Sequence, residues 1–247
     1  MERSGRAVAV ILRRELAAYL KSAHGYVIAA ALLLLAGVLF YAEALGPRAG
    51  ERLSADVLAR FFFNTSGLVA VAAVALSVRL FTDERQTGSV VLLNTAPVSD
   101  LQIVMGKFLG ALAFLTAITV ATLYMPLLIM VNGRISWGHV AVGYLGLVLL
   151  GAAVLAIGLF ASSLTRHTLA AAVAGGAITG AMFLFYPLSF VVDPPLTRVF
   201  AGLGLHGRHF SDFQAGVLHL RDVVYYLSVA YFFLLLATKA LEAKRWQ

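Results

Sequence analysis

The chain has 247 residues, of which 61% are hydrophobic and only 13% charged, with a mean hydropathy of +0.89. Soluble domains carry about 25% charged residues, so 12 acids and 19 bases cannot cover a water-facing exterior of this size. A soluble enzyme, a secreted scaffold and a disordered tail are excluded together, and what remains is a membrane protein. The absence of cysteine removes disulfides, thiolate nucleophiles and Cys-ligated zinc or iron–sulfur centres. The net charge of +7 reads as a basic cytoplasmic face, so no nucleic-acid partner is expected.

Residues 6–21 read as an amphipathic helix lying on the membrane. At 100° per residue Val8, Ile11, Leu12, Leu16, Tyr19 and Leu20 share one half of the wheel, and Arg6, Arg13, Arg14 and Lys21 cluster on the other. Glu15 falls inside the apolar arc. A carboxylate there is costly unless paired, and Arg79, Arg85 and Lys107 are the partners expected on the same side of the membrane. The basic stretch, the apolar run and Ala42-Glu43-Ala44 imitate a secretory leader, but both regions are too long for one. The stretch 25–44 is therefore expected to be a retained span.

A helix crosses roughly 30 Å of hydrocarbon with about 20 apolar residues. Stretches 25–44, 61–81, 103–131, 137–162, 169–192 and 223–241 meet that need as continuous runs, which specifies helices rather than barrel strands. The fold class is an all-α integral membrane protein, with residues 1–24 as an amphipathic helix and 25–247 as a single six-span domain. Pro126 should kink or break the third span. With both termini cytoplasmic, twelve basic residues lie inside and seven outside, while the acids divide equally. The positive-inside rule therefore favours that orientation. Trp137 and Trp246 then sit at opposite interfaces. Gly106-x-x-x-Gly110 and Gly176-x-x-x-Gly180 offer close helix approach, within the bundle or at a dimer face.

The longest cytoplasmic connection is 82–102. It opens with Asp83, Glu84 and Arg85, passes Gly88, and carries a short apolar run from Val90 to Leu93 before Thr95-Ala96-Pro97 stops it. Ser99 and Gln102 have capping-box spacing, which starts the next helix at Asp100. A short helix with a Val/Leu face either docks in a groove on another protein or lies against the bundle.

The string from Glu84 to Lys107, ERQTGSVVLLNTAPVSDLQIVMGK, resembles the signature of ABC-type exporter permeases of the type-two class. Arg13-Arg14-Glu15 resembles that family's connecting helix. Residues 209–246 resemble the gliding-motility-associated (GldF-like) permease branch. The resemblance implies six spans, a connecting helix, and a cytoplasmic coupling helix at about Thr87 to Asn94. The ATPase-coupling residues it implies are Glu84, Arg85, Thr87, Gly88, Ser89, Val91, Leu92, Leu93, Asn94 and Pro97, with Arg14 and Glu15 as connecting-helix charges. It further implies two copies of a separate ABC ATPase that binds ATP and magnesium, a second permease (identical or a sister subunit), surrounding lipid, and a bacterial cytoplasmic (inner) membrane location.

The chain has no G-x-x-x-x-G-K-[ST], so it holds no nucleotide by that device. No cofactor, metal or catalytic residue is expected in it. Spans without a central charge argue against an ion-coupled carrier, leaving hydroxyls such as Thr116, Thr119, Thr122 and Thr179 at mid-span. The outer segment 193–222 is broken by Pro194-Pro195 and several glycines. Phe210, Phe213, Val217 and Leu220 recur at helical spacing, which suggests a short helix on or in the outer leaflet. Phe210, Phe213, His206 and His209 are the candidates for an outer gate. The alternative function is a haem- or cytochrome-maturation membrane subunit that uses the outer histidines.

Overall fold

Apolar runs of this length leave the backbone no water to bond, so the helix, which satisfies its own N–H and C=O groups, is what they form. The computed structural model describes residues 2–44, 54–86, 98–133 and 135–245, and among them there are helices and no strands. The helices are α1 (Glu2–Lys21), α2 (Ala23–Ala44), α3 (Ser54–Ser77), α4 (Arg79–Gln86) and α5 (Asp100–Val120). They continue as α6 (Tyr124–Asn132), α7 (Trp137–Leu164), α8 (Thr168–Leu188), α9 (Leu196–Leu203), α10 (Arg208–Gln214) and α11 (Leu220–Arg245). Among the described residues six helical segments are long and apolar enough to cross a membrane: Ala23–Ala44, Ser54–Glu84, Asp100–Val131, Trp137–Leu164, Thr168–Leu188 and Leu220–Lys244.

The second and third segments are each broken once. Between α5 and α6 a 3-10 turn covers Ala121–Leu123. Pro126 lacks the N–H that would reach Thr122 and its ring crowds that carbonyl, so the expected break falls one turn before the proline. Thr122 instead donates its hydroxyl to the Thr119 carbonyl at 2.7 Å and shares a 2.9 Å bond with the Tyr144 hydroxyl. The second break is at Val78, between α3 and α4. There Ser77 Oγ donates to the Val74 carbonyl at 2.9 Å and Thr82 Oγ1 to the Val78 carbonyl at 2.8 Å, a local competition that bends helices.

Helix α7 is the axis of the bundle. It packs against α3, α5, α8, α10 and α11, and from Leu147 to Leu159 it is almost wholly buried. Small residues make this possible. A Cβ at Gly146 would lie 2.6 Å from the Phe213 Cβ, and one at Gly158 would collide with Ser77. By contrast α2, α8 and α11 bury one side only and leave Leu34, Val38, Val173, Leu184, Leu227 and Tyr231 exposed, the pattern of lipid-facing helices.

Three expectations are corrected. The fifth span ends at Leu188 rather than at 192, because Pro187 and the turns over Ser189 to Val191 stop it. The stripe Phe210, Phe213, Val217 and Leu220 is not one helix: α10 ends at Gln214 and Gly216 takes φ 76°, which leaves Val217 and Leu220 exposed while both phenylalanines are buried. The first helix does not simply lie on lipid. Its apolar side packs along α5, where a Cβ at Gly106 would lie 2.6 Å from Ile11 and one at Gly110 would lie 2.7 Å from Glu15. Gly106-x-x-x-Gly110 is thus an internal seam, whereas a Cβ at Gly176 or Gly180 meets nothing within 4 Å.

Candidate functional site

The α1–α5 seam carries an apolar helix pair with one polar layer in it. Val8, Ile11, Leu12, Leu16 and Tyr19 recur every three or four residues and place Glu15 between them, facing the second turn of α5. There it meets Lys107, whose Nζ donates to Glu15 Oε1 at 2.8 Å. The same ammonium lies 2.8 Å from Glu84 Oε1, and Glu84 also accepts from Arg14 Nη2 at 3.4 Å. The lysine side chain is only 3% exposed, against 13% for Glu15 and 9% for Glu84. One buried cation therefore ties three elements together: α1 through Glu15, α4 through Glu84, and α5 through its own backbone. Phe81 closes the cluster, its ring centroid 5.4 Å from the ammonium.

The neighbouring groups fix the two ends of the connection 87–97. On the incoming side, Gln86 donates its amide to the Arg166 carbonyl and to Thr168 Oγ1, each at 3.1 Å. Thr168 Oγ1 in turn donates to Thr82 Oγ1 at 3.3 Å, which anchors α4 to the start of α8. On the outgoing side Ser99 caps α5: its hydroxyl accepts from the Gln102 N–H at 3.3 Å, and Gln102 Oε1 accepts from the Ser99 N–H at 3.0 Å. Glu84 and Lys107 thus bridge the helices that flank the segment. Tyr19 holds α1 in register, donating to the Leu76 carbonyl at 2.9 Å and stacking on Phe114 at 5.3 Å. Burial, and then the nearby Glu15 and Asp83 carboxylates, push its phenol well above the usual range, so it stays a donor.

Of the coupling residues expected from the sequence, Thr87, Gly88, Ser89, Val91, Leu92, Leu93, Asn94 and Pro97 lie outside the described residues, as does the coupling helix itself. Arg85 belongs to α4. Arg14, Glu15 and Glu84 are brought together with Lys107. The sequence marked Glu15 as needing a cation and named Lys107 among three choices. It gave no sign that Glu84, at the far end of the second span, would share the same ammonium.

At the opposite end of the bundle, the outer-gate candidates are packed into a cap. Phe210 and Phe213 are fully buried on the inner side of α10, and Tyr226 donates its hydroxyl to the Leu205 carbonyl at 2.6 Å. His206 stacks between Phe183 (5.3 Å) and Phe210 (5.1 Å) and meets the edge of Phe63. Ser66 spends its proton on the Phe63 carbonyl at 2.6 Å, so the 2.8 Å contact with His206 has Nε2–H as donor. Burial lowers the His206 imidazole to about 4. His209 Nδ1 donates to the buried Asp222 Oδ1 at 2.6 Å, its Nε2 lies 3.3 Å from the Gly202 carbonyl, and its ring stacks on Tyr225 at 3.8 Å. Arg221 bridges Asp222 and Asp212 on the surface side.

These histidines are engaged by protein groups, and no cluster of three or more metal-ligating side chains occurs among the described residues. Sequence reading missed Asp222 as the partner of His209. The two lie 13 positions apart on different helices, α10 and α11, so no helical period links them.

A model of the ABC-2 family transporter proteins matches residues 9–242, from the first helix to the last. A search of curated proteins returned no match. With six membrane-crossing helices and a family match over almost its whole length, the chain belongs to the ABC-2 transporter family as a multi-pass membrane permease.

Proposed function

We propose that the chain is the permease subunit of an ATP-driven exporter, and that residues 87–97 carry the stroke of a separate ABC ATPase into the membrane. The observation that carries this reading is the Glu15–Lys107–Glu84 cluster. A push on 87–97 reaches Glu84 on one flank and α5 on the other, and the shared ammonium passes it to α1. Displacing any one helix would break a buried ion pair at the shared ammonium, so the three move as a unit.

Further parts of the proposal rest on the family and on charge. Both termini face the cytoplasm of a bacterial inner membrane, and two ATPase copies bind ATP and magnesium below a pair of permeases. The chain is of the GldF-like branch, and the second permease is a copy of it or a sister subunit. The outer cap built on Phe210, Phe213, His206 and His209 acts as the outer gate. Spans whose mid-depth polarity is limited to hydroxyls suit an amphipathic or lipid-linked cargo.

The reading is tested at Leu92. Leu92→Asp, on the apolar run of the segment, is expected to weaken association with the ATPase at least tenfold while detergent-extracted chain keeps its helix content and thermal midpoint. Unchanged association would count against docking at this segment.

A further inference from the structure

Of the six crossing segments among the described residues, α8 buries the smallest share of its length. Its buried residues are Ala171, Gly175 and Thr179, one face at one-turn spacing. That face rests on α7, where a Cβ at Gly175 would lie 3.3 Å from the Gly158 Cα and 3.4 Å from the Ala161 Cβ. Thr179 is 6% exposed, yet its Oγ1 meets no hydrogen-bond partner among the described residues. Buried threonines on two other spans bond their own helix, Thr119 to the Leu115 carbonyl at 2.8 Å and Thr238 to the Leu234 carbonyl at 2.9 Å. An unbonded buried hydroxyl is costly, so the α7–α8 seam is not fully satisfied in this arrangement.

The two ends of α8 are held differently. At the outer end the cap grips it: the Leu205 N–H donates to the Met182 carbonyl at 3.0 Å, and Tyr186 packs so closely on Gly207 that a Cβ there would collide with its ring. At the inner end His167 occupies the N-cap position without a side-chain hydrogen bond, and a hold comes from α4. Gln86, the last residue of α4, donates from its amide to the Arg166 carbonyl and to Thr168 Oγ1. Both acceptors need such a donor. The carbonyl has no proton of its own, and the Thr168 hydroxyl gives its proton to Thr82 Oγ1. Thr82 is fully buried and donates onward to the Val78 carbonyl, at the break between α3 and α4. A line of hydrogen bonds therefore joins α4 to the start of α8, beginning at the residue that adjoins 87–97.

We infer that α8 is a span the ATPase stroke displaces, and that Gln86 is the positioning residue that draws it. This rests on the coupling reading above: α4 moves with the charge cluster, and the Gln86 amide carries that movement into the turn 166–168. The helix then pivots at the outer cap while its small-residue face shifts on α7. The stroke enters the membrane by two separate routes, through Lys107 to α1 and through Gln86 to α8.

The chain has no cysteine, so paired spin labels can be placed on it by single substitutions. One label goes at Trp137→Cys on α7, and the other at Leu169→Cys on α8 or at Val10→Cys on α1, all three positions being exposed. The labelled chain is rejoined with its ATPase, and the distances are read by pulsed electron spin resonance without nucleotide and with ATP trapped by vanadate. Both distances are expected to shift by about 2–5 Å on trapping. Gln86→Glu keeps the shape of the side chain but removes its donated hydrogens, and Thr168→Val removes the hydroxyl from the line. Each should remove at least about half of the Leu169 shift and leave the Val10 shift and the resting distances in place. A Leu169 distance that stays fixed while Val10 moves would overturn the inference and leave the coupling reading standing. So would a Leu169 shift that neither substitution diminishes. If neither label moves, the coupling reading itself fails, and the inference falls with it.

Discussion

Lys107 sits where a lone charge would be intolerable, 3% exposed and one turn inside an apolar helix. It is stable there because two carboxylates face it, and its ammonium offsets their mutual repulsion. Lys107→Met keeps the volume and removes the cation, leaving Glu15 and Glu84 buried with like charge. The expected cost is about 3–5 kcal/mol, read as a lowered thermal midpoint in detergent. The triple variant Lys107→Met with Glu15→Gln and Glu84→Gln should recover most of that loss, since it removes the two like charges as well. Equal destabilisation of the single and triple variants would mean that packing, rather than charge, governs the site.

Among the elements, the seam between α1 and α5 and the outer cap respond differently to perturbation. Gly106→Val would drive a side chain into Ile11, so it should cost about 1–3 kcal/mol by overpacking and loosen α1, whereas Gly176→Val points into open space and should be close to neutral. Limited proteolysis near residues 5–21, together with thermal midpoints, separates the two outcomes. In the cap, His206 is held neutral by burial. Below about pH 6.5 the unfolded imidazole takes up a proton that the folded one refuses until about 4. Stability therefore falls as pH drops through that window, with a slope of order 1 kcal/mol per pH unit, and levels off below it. A slope that persists unchanged in His206→Gln would assign the effect to another group.

At the same scale, what was legible in the sequence follows from what each signal measures. Hydropathy reports burial in lipid or protein, and it located all six crossings; the capping pair Ser99 and Gln102 fixed the start of α5, and Pro126 its break. Hydropathy does not distinguish a lipid neighbour from a helix neighbour, so α1 read as a membrane-surface helix although its apolar side meets α5. The stripe from Phe210 to Leu220 failed for a backbone reason, a glycine at positive φ that periodicity cannot see. Glu15 was found because a carboxylate breaks an apolar arc. Asp222 was not, because at the head of a span it interrupts nothing.

Across the whole molecule, α7 forms a closely packed axis, one end of the bundle carries a charge cluster and the other a packed aromatic cap. That polarity suits a permease worked from one side. The central claim is that a separate ATPase works it, and the most direct measurement is a mild-detergent pull-down of the intact chain from its native membrane, with mass spectrometry of the proteins that accompany it. The expected result is a soluble-type protein bearing a P-loop, recovered in equal number with the permease chains and lost when Leu92 is changed to Asp. Recovery of the chain without any P-loop protein, across several detergents that preserve its fold, would contradict ATP-driven coupling.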